Sequence, residues 1–394
     1  MDPICNPYAP GAGSRPPELS GREDLINQVR IALERTRAGR STKSILMVGL
    51  RGAGKTVLLD QFRDDAEANG IHTIRAEAPE NKSLPALLAP QLRKELMRLS
   101  RTDQARDLAI RALRGLAGFV KALKVKYSDI EVGIDYDPEP GLADNGDLEN
   151  DLMDLLEVSG EAAKKAGTAL GLFIDELQYV DEDELAALIT ALHRCAQKRL
   201  PLVLVGAGLP QLRGRMGAAK SYAERLFDFP LIGPLCLEDV NDALSKPAAE
   251  QNVFFEAEAI KLIYEKTKGF PYFIQEWGKH VWDIALSSPI TLHDVENASR
   301  EVIIALDESF FRVRFDRLTP SEKLYLRGMA ELGEGPHRSS EISEKMEKAV
   351  TRLAPVRASL IAKGMIWSPF HGDTAFTVPL FGEFMKRIMP FATA

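Results

Sequence analysis

The feature that most limits how this 394-residue chain can fold is a Gly-rich turn set between a short apolar run and an amphipathic stretch. Ser44 to Val48 reads SILMV, Gly49 to Thr56 reads GLRGAGKT, and Thr56 to Ala68 (TVLLDQFRDDAEA) carries apolar residues at helical spacing. The order is strand, turn, helix. The turn satisfies G-x-x-x-x-G-K-[ST] in the one context that gives that pattern meaning. Its glycines let backbone N–H groups face inward around phosphates, the helix N-terminus adds positive potential, Lys55 reaches β- and γ-phosphates, and Thr56 can ligate magnesium. A Gly-rich helix start without a ligand would need neither Lys nor Thr at those positions. The expected ligand is ATP with Mg2+, held by Gly49, Leu50, Arg51, Gly52, Ala53, Gly54, Lys55, Thr56 and Val57.

Downstream segments extend the pattern. Ile71 to Ala76 reads as a second strand, Leu84 to Leu99 as an amphipathic helix, Leu170 to Ile174 as a buried strand, and Leu202 to Val205 as another. Leu226 to Ile232 is a fifth. A helix begins near Asp181 to Glu184, whose negative charge favours an N-terminus, and runs to about Gln197. Alternation of this kind predicts a five-stranded parallel sheet covered by helices on both faces. The third strand, GLFIDE, delivers two carboxylates at its carboxyl end, where open α/β sheets bind ligands. Asp175 is expected to hold the metal, and Glu176 to orient and deprotonate the water that attacks the γ-phosphate.

Length suits two or three domains. With 45% hydrophobic and 27% charged residues, and no apolar run near the ~20 residues that span a bilayer, a soluble chain without a membrane partner is expected. The start, MDPICNPYAPGAGSRPP, has no secretory pattern and reads as a mobile tail, so a cytoplasmic location is expected. Cys5, Cys195 and Cys236 lie far apart, which argues against a disulfide framework or a structural zinc site. A net charge of −7 excludes a chain that is basic all over. From Arg317 onward, however, 11 Lys and Arg face 8 Asp and Glu.

The order GLRGAGKT, LFIDELQ, VLVGAGLP, AERLFDFPLIGPL and GFPYFIQ resembles the AAA+ ATPases near the archaeal origin-recognition initiators and the STAND-type ATPases. Ser20-Gly21-Arg22-Glu23 resembles their segment beside the adenine, which makes Arg22 a candidate for nucleotide contact. By that resemblance Arg225 is the arginine finger that reaches the γ-phosphate of a neighbouring subunit, implying a homo-oligomer. Two departures stand out. Gly206-Ala207-Gly208 replaces the usual polar sensor after the fourth strand, and Gly269-Phe270-Pro271 replaces an arginine sensor, placing Pro271 near the nucleotide. Both imply slow hydrolysis and a switch rather than a fast motor.

The resemblance organises the chain into a tail (1–17), a nucleotide-binding AAA+ domain (18–235) with an insert at about 101–167, a helical lid (236–316) and a winged helix (317–394). In the last, Leu318-Thr319-Pro320-Ser321-Glu322 starts a helix capped by Thr319 or Ser321, with further helices at Ser339 to Met346 and Leu353 to Lys363. Pro355 then has to lie in the first turn of its helix. Met365 to Ser368 and Thr374 to Val378 read as two strands around a Gly turn. Arg352, Arg357 and Lys363 suit duplex DNA; protein docking is the alternative. In the insert, a basic helix from Arg101 to Lys126 presents Ile110, Leu113, Leu116, Val120 and Leu123 toward a core, and an acidic loop, Glu131 to Asp154, follows.

The expected function is an ATP-hydrolysing AAA+ switch that assembles on DNA. A STAND-like signalling ATPase that controls protein partners is the second reading. A small-molecule kinase lacks an acceptor-site signature.

Overall fold

The computed structural model describes residues 1–11, 13, 16–79, 82–130 and 132–390. It divides into two compact units. One comprises Glu23–Val48 and Lys55–Leu231; the other comprises Met1–Arg22, Gly49–Gly54 and Ile232–Ala394, of which the described residues are meant throughout.

The first unit is a five-stranded parallel sheet in the order β2-β3-β4-β1-β5, formed by β1 (Ser44–Val48), β2 (His72–Glu77), β3 (Leu170–Asp175), β4 (Leu202–Gly208) and β5 (Phe227–Asp228). Every residue of β1 and β3 is buried, as expected of central strands covered on both faces. β2, at an edge, is less fully covered: His72 and Arg75 are half-buried and Glu77 is exposed, while Thr73, Ile74 and Ala76 are buried. The helices are α1 (Glu23–Arg37), α2 (Lys55–Ala68), α3 (Leu84–Leu99), α4 (Arg106–Leu123), α5 (Leu148–Lys165), α6 (Glu182–Gln197), α7 (Leu212–Ala219) and α8 (Ala223–Leu226).

The insert is part of this core. Leu113, Leu116, Phe119 and Leu123 of α4 and Leu152, Leu155 and Leu156 of α5 join one hydrophobic cluster with Leu172, Ile174 and Leu188. α4 keeps Arg106, Arg111, Arg114 and Lys121 exposed, so its charge is a solvated face of a packed helix. The acidic segment is shorter than its sequence suggests, because α5 starts at Leu148 with the Asp147 carboxylate accepting from Asn150 N–H at 2.9 Å. Glu131 lies outside the described residues.

The second unit carries α9 (Leu237–Glu250), α10 (Ala257–Thr267), α11 (Pro271–Ile284), α12 (Leu292–Leu306), α13 (Arg312–Asp316) and α14 (Pro320–Glu331). There follow β6 (His337–Arg338), α15 (Ser339–Lys345), α16 (Val350–Ala362), β7 (Ile366–Trp367), β8 (Asp373–Phe376) and α17 (Phe381–Ile388), the strands pairing antiparallel as β6-β8-β7. Phe273 of α11 packs on Phe310, Phe310 on Phe311, and Phe311 on Phe381 and Phe384 of α17, with ring centroids 5.2 to 5.9 Å apart. The helical region and the C-terminal elements therefore share a core.

Two expectations change here. Residues 1–11 are held in place. Tyr8 is buried and donates its hydroxyl to Leu244 O, Asn6 Nδ2 donates to Lys279 O at 3.0 Å, and Trp282 Nε1 donates to Asp2 O at 3.0 Å. Residues 12, 14 and 15 of the expected tail lie outside the described residues. α16 starts three residues before Leu353, which puts Pro355 beyond the first turn. Pro355 and Thr351 are exposed, so the carbonyl that lacks a helical donor can be hydrated.

Candidate functional site

In the first unit, β3 brings Asp175 to the sheet's carboxyl end, 2% exposed. Thr56, in the first turn of α2, donates its hydroxyl to Asp175 Oδ2 at 2.7 Å. Asp175 Oδ1 accepts from Glu176 N–H at 2.8 Å. Lys55 is 8% exposed on the same helix start. Burial drives the Asp175 carboxyl above its ordinary range, and the Thr56 hydroxyl opposes that rise. Arg75 of β2 sits 3.7 Å from Asp175 Oδ2 and bonds Asp60 of α2 through Nε at 2.9 Å. Arg75 escapes sequence reasoning; its signal is a charge inside an otherwise strand-like HTIRAE.

Glu176 follows with φ +52°, a left-handed conformation that costs a non-glycine residue free energy and recurs at active sites. The turn Leu177–Tyr179 begins there, and the Gln178 amide donates to Glu176 Oε2. Gln178 is the second residue missed, though LFIDELQ contains it. Where Gly206-Ala207-Gly208 suggested an empty position, β4 continues through Gly208 and Gln178 lies against it.

The loop Gly49–Gly54 links β1 to α2 in the chain and is built against its own unit. A Cβ at Gly49 would stand 2.3 Å from Ile232 O, so the first glycine of the motif is required by a neighbouring backbone. Gly52 and Gly54 have φ of +78° and +90°. Tyr272 N–H donates to Gly52 O at 3.2 Å, and Arg51 N–H donates to Thr377 O at 2.9 Å. Pro271, the first residue of α11, places its Cγ 3.9 Å from where a Cβ on Gly54 would be. Ala53 is buried, while Leu50 and Val57 are half-buried. Arg22 donates to Gly233 O. Arg225 is exposed on α8, two residues before β5.

Of the C-terminal cations expected to suit duplex DNA, two are hydrogen-bonded within their own domain. Arg357 bonds Thr374 Oγ1 (2.8 Å), Ser368 Oγ (2.9 Å) and Asp373 O (2.8 Å). Lys363 bonds Glu322 Oε2 (2.8 Å) and Arg317 O (3.1 Å). These two side chains tie strands and helices together because their donors find hydroxyl, carboxylate and carbonyl oxygens that helix spacing does not reveal. Arg352 is exposed.

Residues 18–205 match the family model of the AAA ATPase domain, and residues 308–385 match a domain of unknown function. A Walker-type ATPase of Pyrococcus abyssi aligns with TM-score 0.56 at 17% identity, over 94% of this chain and 97% of that one. The fold is that of the AAA+ ATPases. Two other solved structures align over most of the chain. The Aeropyrum pernix ORC1 protein in complex with DNA gives TM-score 0.48 at 14% identity over 94% of each chain. The Thermotoga maritima RuvB Holliday junction branch migration motor gives 0.44 at 16% over 92% and 96%. No curated protein matches the sequence. Within the AAA+ fold, Thr56 and Asp175 form a pair of hard oxygen donors that suits magnesium, an ion that takes one or two protein ligands and completes its shell with water and phosphate. Among the described residues no helix is long and apolar enough to cross a membrane.

Proposed function

We propose that the chain binds ATP with magnesium through Gly49 to Val57 and Asp175, hydrolyses it with Glu176, and acts as a nucleotide-dependent switch. One observation carries the reading: the Thr56 hydroxyl and the Asp175 carboxylate, 119 positions apart, meet at 2.7 Å where the motif helix begins. When bound, magnesium would neutralise charge on the β- and γ-phosphate oxygens. Lys55 would hold those oxygens, and the α2 N-terminus would add its positive potential. Glu176 would take the proton of the attacking water, and Arg225 of a neighbouring copy would stabilise the charge that develops on the transferred group. Arg22 and Pro271 would line the nucleotide.

The loop contacts favour a switch over a constitutive motor. Gly52 O and Arg51 N–H are hydrogen-bonded to α11 and to the segment after β8, so any change of loop conformation is felt in both. We read α14 to α17 with β6-β8-β7 as a winged helix that docks a protein partner, since Arg357 and Lys363 are engaged internally. An ATP-dependent change in duplex DNA affinity, measured at stated salt, would reverse that choice of partner. For the nucleotide reading, Lys55→Ala is expected to weaken ATP binding by on the order of 100-fold. Glu176→Gln is expected to bind ATP and release almost no phosphate. Normal ATP binding by Lys55→Ala, measured by direct titration, would refute it.

A further inference from the structure

The end of β4 offers no polar side chain, yet the Glu176 carboxylate is tied to it. The tie runs through Gln178, 4% exposed, whose Oε1 accepts the backbone N–H of Leu209 at 2.9 Å and whose Nε2 donates to Glu176 Oε2. The amide cannot sit the other way round. A backbone N–H only donates, so it demands the oxygen; a carboxylate only accepts, so it demands the nitrogen.

Two glycines make this possible. A Cβ at Gly208 would come within 2.8 Å of Gln178 Oε1, and one at Gly206 within 2.5 Å of Leu177 Cδ1. The bare end of β4 is thus shaped to receive the side chains of the turn that follows Glu176. Arg215 of α7 clamps the same turn from outside, donating to Gln178 O and, at 2.8 Å, to Val180 O. Glu176 itself is held at φ +52°, so its side chain leaves the backbone in a direction that a relaxed residue would not choose.

We infer that Gln178 is the positioning residue of the hydrolytic carboxylate: it fixes Glu176 relative to the end of β4 and there takes the place of a polar β4 side chain. A donated N–H keeps the carboxylate in one orientation without protonating it, which is what a group awaiting a water proton needs. Because Leu209 opens the chain leading into α7, any shift of β4 or α7 is transmitted to Glu176 through one amide. This inference rests on the hydrolytic reading of Glu176.

The test uses the full chain and four variants, with MgATP affinity measured by direct titration and phosphate release measured at saturating MgATP. Gln178→Glu keeps an acceptor for Leu209 N–H and removes the donor to Glu176. Its turnover is expected to fall roughly 10- to 100-fold with ATP affinity within about threefold of wild type. Gln178→Ala is expected to do the same; it leaves a buried N–H unpaired, so its stability is measured alongside. The decisive comparison is a double-mutant cycle: Glu176→Gln combined with Gln178→Ala should turn over no more slowly than Glu176→Gln alone. A merely structural Gln178 would instead give multiplying losses, and that result would overturn the inference. So would wild-type turnover in Gln178→Glu. A wild-type chain that binds MgATP and releases no phosphate would sink the hydrolytic reading, and this inference with it.

Discussion

Asp175, Thr56 and Gln178 are held in place because their neighbours leave them little freedom. The Thr56 hydroxyl and the Glu176 N–H both point at Asp175, and Leu209 N–H fixes the Gln178 amide. Backbone proximity is as demanding as chemistry. At Gly49 an added methyl would meet Ile232 O at 2.3 Å, which no side-chain rotation relieves. Gly49→Ala is expected to lower stability by roughly 1–3 kcal/mol in denaturant unfolding, before any nucleotide is added. An unchanged midpoint would mean that the loop is free to move away from Ile232. Arg75 shows the opposite case, a side chain whose role is invisible until two elements meet. Its edge strand is only partly covered, and only the fold sets its guanidinium between Asp60 and Asp175.

Among the elements, α4 and α14 make separable points about what charge means. In α4 the basic residues are a solvent face and the apolar stripe is core. Leu113→Ala, at a fully buried position, is expected to cost about 2–5 kcal/mol, whereas Arg114→Ala should change stability by less than about 0.5 kcal/mol. Equal effects in urea unfolding would show that the insert is not part of the folded core. In α14 the charge is buried. Glu322 closes a capping box with Thr319 and pairs with Lys363 and Ser359. Burial alone would raise its carboxyl, but Lys363, the Thr319 N–H and Ser359 bring it down to about 2. A depressed carboxylate stabilises the fold above its unfolded value, near 4.5, and that contribution is lost as pH falls from about 4.5 to about 2. Glu322→Gln should therefore unfold more easily at neutral pH, by roughly 1–2 kcal/mol, and lose less stability on acidification than the wild type. Parallel acid curves for the two proteins would exclude Glu322 as the group responsible.

For the whole molecule, the finger role proposed for Arg225 predicts that hydrolysis depends on assembly. Specific ATPase activity is expected to rise with protein concentration, and Arg225→Ala should lower the plateau at least about tenfold while ATP binding persists. A concentration-independent rate would remove the trans role of Arg225. The N-terminal segment belongs to the same scale: Tyr8→Ala removes a buried aromatic ring and its bond to Leu244 O, and should cost about 3–5 kcal/mol of thermal stability.

By itself the sequence determined the sheet, the loop and the carboxylate pair. Strands buried on both faces read as unbroken apolar runs, glycines at positive φ mark a turn, and Asp175-Glu176 falls where such a run ends; all of this is local information carried by neighbours in the chain. β6 is hidden in the sequence because two residues hold no period, and the fixed position of residues 1–11 is hidden because composition says nothing about a binding face elsewhere. The tertiary structure alone decided which charges are available and which are engaged. Arg357, Lys363, Arg75 and Gln178 bond Thr374, Glu322, Asp60 and Leu209, which lie 17, 41, 15 and 31 positions away, and hydrogen bonds at such separations leave no mark on the pattern of the residues between.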